Sequence, residues 1–213
     1  MTINNKNALF LRIPKTASTS LLRSGLLNKC LSLAAARECF KNSSGRMIYL
    51  DTRRYLNVMK RTYDWFDLKK NNIFTFGFVR NPWDRAVSGW KFGSYGTKWN
   101  MNFLDFCRNL KKLELYPKNE QASDALLLHI CEQHSFLICE EKKIKADFIG
   151  KFENLQEDFN FVCDKIGIPR QELPHENKSK HKHYTEYYDD ETRQLVAKKY
   201  AKDIEYFGYE FGE

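Results

Sequence analysis

Apolar positions along the chain fall into two periods. Four short runs rich in β-branched and aromatic residues, Ala8–Ile13, Met47–Leu50, Ile73–Val79 and Asp147–Phe152, read as strands. Between them, Thr19–Asn28, Pro82–Phe92, Asn102–Lys112, Asn154–Ile166 and Glu191–Tyr206 have helical character. The second of these is the best punctuated. Asn81 suits an N-cap, Pro82 the first turn, and Asp84 the positive end of the helix dipole. Trp83, Val87 and Trp90 then recur at i, i+4, i+7 and predict the buried stripe. Ala8–Ile13 and Ile73–Val79 are nearly continuous apolar runs, as expected of central strands covered on both faces. The alternation of strands and helices predicts an α/β layer fold around a mainly parallel sheet. Ligands of such sheets gather outside the carboxyl ends of the strands.

Composition bounds the rest. The 213 residues suit one domain, 1–213, and 42% hydrophobic with 15% aromatic content argues against intrinsic disorder. No apolar stretch approaches the ~20 residues a membrane helix needs. The start MTINNKNALFLRIPK has no signal-peptide architecture, so a soluble cytoplasmic protein without a membrane partner is expected. The formal charge of +8 points to an anionic ligand, which could be nucleic acid, a nucleotide or an acidic glycan. Cys30, Cys39, Cys107, Cys131, Cys139 and Cys163 form no C-x-x-C pair, so reduced, buried thiols are expected rather than zinc ligands.

Two strand ends carry chemistry. In FLRIPKTASTSLL, Pro14 stops the strand and Lys15 opens the turn. Thr16, Ser18, Thr19 and Ser20 then offer hydroxyls where a new helix presents its N–H groups. Those groups and the dipole favour an anion, and the lysine adds a mobile charge. Taken alone, the stretch also fits an ordinary Ser/Thr cap beside a solvated lysine. In FVRNPWDRAVSGW, Arg80 follows the strand directly and Ser88 lies on the ensuing helix, where both could hold a phosphate. Alone, Arg80 could equally pair with an acidic neighbour while Ser88 merely packs.

Together the two segments are more specific. P-K-T-x-S-T-S between a strand and a helix, then V-R-N-P-W-D-R-x-x-S between another pair, resembles the sulfotransferase family in its carbohydrate-type branch. RIPKTASTSLL is similar to that family's 5′-phosphosulfate loop and FVRNPWDRAVSGW to its 3′-phosphate motif. HICEQHSFL, ADFIGKFENLQEDFNFVCDKIGI and the ending from LPHENKSKHKHY onward also resemble family segments, whereas Lys41–Asn72 and Gly93–Asn119 are less recognisable. Many relatives have glycine where this chain has Ser18, which suggests that this position needs no positive φ.

The resemblance implies a three-layer sandwich with a central parallel sheet, related to the P-loop NTPase fold. It implies in-line transfer of the sulfuryl group from 3′-phosphoadenosine 5′-phosphosulfate (PAPS) to an acceptor, leaving adenosine 3′,5′-bisphosphate (PAP). Pro14, Lys15, Thr16, Ala17, Ser18, Thr19 and Ser20 would cradle the phosphosulfate, Lys15 stabilising the leaving oxygen. Arg80 and Ser88 would take the 3′-phosphate, and Ser179 and Lys180, in NKSKHKHY, would fold over the nucleotide. No metal is required, since sulfate carries less charge than a phosphate monoester.

The acceptor, a hydroxyl or less readily an amine on a carbohydrate or small metabolite, must lose a proton. His129, opening H-x-x-x-Q, is the candidate base, with His134 in reserve and an aspartate or glutamate elsewhere as the other alternative. If this segment is helical, His129 and Gln133 share a face. Glu153 reads as a helix-start residue. His175, His181 and His183 lack acidic or cysteine partners at ligand spacing. Arg53, Arg54, Tyr95 and Trp99 are suggested acceptor contacts. Two other classes compete: a nucleotide kinase, which lacks Walker glycines here, and a basic RNA- or glycan-binding protein, which lacks aromatic-rich RNA-binding strands.

Overall fold

The structure, a computed structural model, describes residues 8–17, 20–21, 47–50, 74–92, 101–113, 129–137, 146–174 and 182–213. Four strands, β1 (Ala8–Leu11), β2 (Met47–Leu50), β3 (Phe74–Val79) and β4 (Phe148–Lys151), form one parallel sheet in the order β2-β1-β3-β4. The helices are α1 (Pro82–Phe92), α2 (Phe103–Leu113), α3 (His134–Leu137), α4 (Leu155–Ile166), α5 (Asp190–Lys199) and α6 (Ala201–Phe207). Single 3₁₀ turns span Phe152–Asn154 and Tyr184–Tyr187. No described helix is long and apolar enough to cross a membrane.

Strand order decides where a ligand belongs. The chain passes from β1 to β2 on one side, then returns to place β3 on the other side of β1. The β1/β3 pair is therefore the topological switch point, the usual ligand crevice of an open parallel sheet. The pair is registered Ala8 with Phe74 through Leu11 with Gly77. Glycine is needed at that last rung, since a Cβ on Gly77 would lie 3.0 Å from both the Leu11 carbonyl oxygen and Leu137 Cδ2. β1 ends two residues sooner than its apolar run. Pro14 has no N–H to continue a ladder, and the Ile13 carbonyl is turned to Thr16 instead.

Contacts gather the chain into two compact units, Met1–Val79 with Phe136–Asn177, and Arg80–Ser135 with Lys178–Glu213. The core of the first packs Ala8, Phe10, Leu21, Phe76 and Phe78 with Phe159, Val162, Cys163, Ile166 and Leu173. Phe10 stacks on Phe76 with centroids 5.2 Å apart. Its polar ties sit at strand ends: Asp147 accepts from Thr75 N at 2.8 Å, and Asp158 accepts from Lys151 N at 2.6 Å.

The second unit is built round α1, which is buried at Pro82, Trp83, Arg85, Ala86, Val87 and Gly89. Trp83, Ala86 and Val87 pack with Phe103, Phe106, Leu110, Ile130, Tyr184, Val196 and Tyr200. Trp90 lies against this cluster and donates to the Met101 carbonyl at 2.9 Å. The expected helix Glu191–Tyr206 is two helices, parted at Tyr200 with φ −109° and ψ 26°. Tertiary bonds explain the break. The buried Tyr200 hydroxyl donates to the Ile130 carbonyl at 2.9 Å, and the wholly buried Asp203 one turn later serves the neighbouring loop.

Candidate functional site

The turn after β1 has an unusual backbone. Lys15 and Ala17 are in the left-handed region, at φ 70° and 58°, with Thr16 of ordinary sign between them. Such residues cost on the order of 1–3 kcal/mol each and persist only where the surroundings hold them. Here Thr16 is fully buried and donates its hydroxyl to Ile13 O at 2.9 Å. Leu21 N bonds Ala17 O at 3.2 Å as the chain turns helical at Ser20. Successive residues of alternating hand aim their N–H groups to one side, the geometry of an anion-binding nest. Ser18 and Thr19, and with them the expectation that Ser18 needs no positive φ, lie outside the described residues. Thr16 braces the loop through its hydroxyl proton, Ser20 is 6% exposed, Pro14 is buried, and Lys15 is half-buried.

The chain leaves β3 at the same edge of the sheet, and Arg80 is the next residue. Its guanidinium is engaged along one edge by Asp84, from Nε at 2.8 Å and from one Nη at 2.7 Å. The acidic neighbour is therefore Arg80's partner in the structure, and it fixes the direction of the side chain. The Asn81 carboxamide caps α1, accepting from Trp83 N at 3.1 Å and donating to Glu210 O at 2.8 Å. Ser88 lies further along α1, half-buried. Arg85 is turned inward, 1% exposed, and donates to Cys131 O at 2.8 Å.

Residues 129–133 are turn and bend, and α3 begins only at His134, so His129 and Gln133 do not share a helical face. His129 is half-buried, its ring 4.9 Å from the ring of Phe92, which is 63% exposed. His134 is committed elsewhere. Its Nδ1 lies 2.8 Å from Asp203 Oδ1 and its Nε2 3.5 Å from Glu132, which also faces Lys199 at 3.5 Å. Gln133 is fully buried, and its carboxamide accepts from Arg80 N at 2.9 Å and donates to Arg80 O at 2.8 Å. Sequence pattern missed Gln133 as a partner of Arg80 and Asp203 altogether; the only signal was the H-x-x-x-Q spacing. Ser179, Lys180, Arg53, Arg54, Tyr95 and Trp99, and the expected contacts they represent, lie outside the described residues.

A family model described as the sulfotransferase family matches residues 1–210. The chain belongs to the sulfotransferase family. Sulfotransfer is therefore the class of its chemistry. Among sequence relatives, an uncharacterised protein of Archaeoglobus fulgidus is 32% identical over 102 residues, 47% of this chain and 73% of that protein. Human carbohydrate sulfotransferase 9 is 38% identical over 68 residues, 32% of this chain, and the match spans only 14% of the human protein. A solved sulfotransferase from Alicyclobacillus acidocaldarius superimposes with a TM-score of 0.50, covering 95% of this chain and 94% of that one at 11% identity. The last comparison establishes the α/β sulfotransferase fold.

Proposed function

We propose that the chain is a single sulfotransferase domain that takes its sulfuryl group from PAPS and releases PAP. Two features support this, each described within its own unit of the chain. One is a lysine in a strained, alternating-hand turn, and the other is an arginine at the exit of the adjacent strand. Both suit anions, and the nest needs no metal to neutralise what it holds.

Bound PAPS supplies the activated sulfuryl group. Lys15 and the turn's N–H groups stabilise charge on the 5′ side, where the leaving oxygen becomes more negative as the sulfuryl group departs. Arg80, aimed by Asp84, and Ser88 hold the 3′-phosphate through charge-assisted bonds. Ser179 and Lys180 remain contacts by family likeness alone. His129 accepts the acceptor's proton, since both ring nitrogens of His134 face carboxylates. The acceptor is a hydroxyl, less readily an amine, on a carbohydrate or small metabolite. The name of the human relative favours a carbohydrate.

A thermal-shift panel tests the donor, because a ligand bound only by the folded state raises the melting temperature. PAP should stabilise the protein well beyond ATP or adenosine 5′-phosphate. Equal responses to PAP and adenosine 5′-phosphate would remove the 3′-phosphate role of Arg80 and with it the assignment of PAPS.

A further inference from the structure

Arg80 occupies an awkward place in the backbone. β3 ends one residue before it, and the first hydrogen bond of α1 runs from Arg85 N to Asn81 O at 2.8 Å, one residue beyond it. Arg80 therefore stands at the junction between the end of the strand and the first turn of the helix. Gln133 bonds both of its main-chain groups at once, accepting from the N–H at 2.9 Å and donating to the C=O at 2.8 Å. Only a side chain with a donor and an acceptor at this length can do so. Fixing the two peptide planes that flank one residue fixes the direction of its Cα–Cβ bond. Asp84 then fixes the far end of the same side chain.

Gln133 is itself anchored. Its N–H donates to Asp203 Oδ2 at 2.7 Å, and the next residue, His134, bonds the other carboxylate oxygen through its N–H at 2.8 Å. Gln133 and Asp203 are both 0% exposed, so these bonds are shielded from water and strong. A buried glutamine that served packing alone could satisfy its carboxamide on any nearby groups. This one addresses both main-chain groups of the residue assigned to the 3′-phosphate.

We propose that Gln133 is a positioning residue that sets recognition of the donor's 3′-phosphate by holding the backbone of Arg80 in register. This rests on the assignment of Arg80 above. A pre-aimed guanidinium does not lose side-chain and backbone freedom when the phosphate arrives, so loosening its base should weaken that one contact. The 5′ end of the nucleotide would be bound as before.

The test compares PAP with adenosine 5′-phosphate by calorimetric titration of the full chain and of Gln133→Met. Methionine keeps the length and loses both hydrogen bonds. Wild type should prefer PAP, and the variant should lose roughly ten- to hundredfold of that preference, the worth of one charge-assisted bond. Its affinity for adenosine 5′-phosphate should change by less than about threefold, and in turnover KM for PAPS should rise with kcat little altered. Equal loss of both affinities would mark Gln133 as structural only and overturn the proposal. So would an unchanged preference, while the role of Arg80 stood. A wild type with no preference would instead remove the Arg80 assignment, and this proposal with it. Should Gln133→Met not fold, Gln133→Asn decides on the same ratio, because it keeps the carboxamide but is one methylene too short to hold both main-chain groups of Arg80.

Discussion

Replacing Asp203 by alanine should cost more than any surface change in this chain. Its carboxylate is 0% exposed and accepts three bonds, from Gln133 N at 2.7 Å, His134 N at 2.8 Å and His134 Nδ1 at 2.8 Å. A carboxylate that only accepts pairs with a His134 ring that carries a proton on Nδ1. Bonds to a charged acceptor contribute about 1.5–3 kcal/mol each, and simple addition would overshoot because all three share one group. Two N–H groups and a ring N–H are left without an acceptor at about 1–3 kcal/mol each, or about 3–5 kcal/mol together because they share one carboxylate. Against a total stability on the order of 5–15 kcal/mol, that is a large fraction. The melting temperature should fall by roughly 6–20 °C, at about 2–4 °C per kcal/mol for a chain of this size. Urea denaturation followed by circular dichroism measures the loss, with Asp203→Asn, which keeps one acceptor oxygen, falling between. A loss under about 1 kcal/mol for Asp203→Ala would show that the desolvation cost of the carboxylate cancels its bonds, and the network reasoning would fail.

Lys15→Ala should lower turnover by about 10²–10³-fold with the fold retained, the scale for removing one donor to developing negative charge; steady-state rates beside circular dichroism check it, and normal turnover refutes the role. Gly150→Ala should destabilise the sheet by about 1–3 kcal/mol, because a Cβ there would lie 2.5 Å from Cε1 of the fully buried Phe78; an unchanged urea midpoint would contradict the packing. Burial, with a smaller push from Asp189, raises the Cys107 thiol from 9.0 to about 12, and burial with Asp164 raises Cys163 to about 11. Well below pH 9 neither state ionises these thiols; as pH rises through 9 the unfolded chain releases their protons first, so their contribution to stability should drain away from around pH 9 up to about 12. At pH 8 both should resist a disulfide reagent in the folded protein and react once unfolded, and prompt labelling of either, located by mass spectrometry, would contradict their burial.

The fold was legible where local chemistry agrees with tertiary packing. Pro82–Phe92 has the bounds read from N-P-W-D and the Trp83–Val87–Trp90 stripe, because cap, proline and apolar face all point the same way. Met47–Leu50 likewise matches its apolar run. The expected helix over Glu191–Tyr206 fails at Tyr200, where no glycine or proline marks the break. Its cause is a hydroxyl bonded to Ile130, 70 residues away, which no local pattern carries.

The candidate site divides along the same line. Lys15 and Arg80 could be named as candidates because they stand at strand ends, where a charged residue beside a run of apolar ones needs a reason. Gln133 was not legible as a partner of Arg80, since 53 residues separate the two and its bonds go to main-chain atoms. A side chain that holds backbone leaves no mark on the identity of the residue it holds, for any amino acid except proline would present the same N–H and C=O. Asp203 drew no notice in the sequence, yet it is buried and accepts from two main-chain N–H groups 69 and 70 residues earlier. Residues proposed to meet an anion can therefore be named from their own chemistry, whereas those that hold their backbone are visible only once the distant backbone is in place.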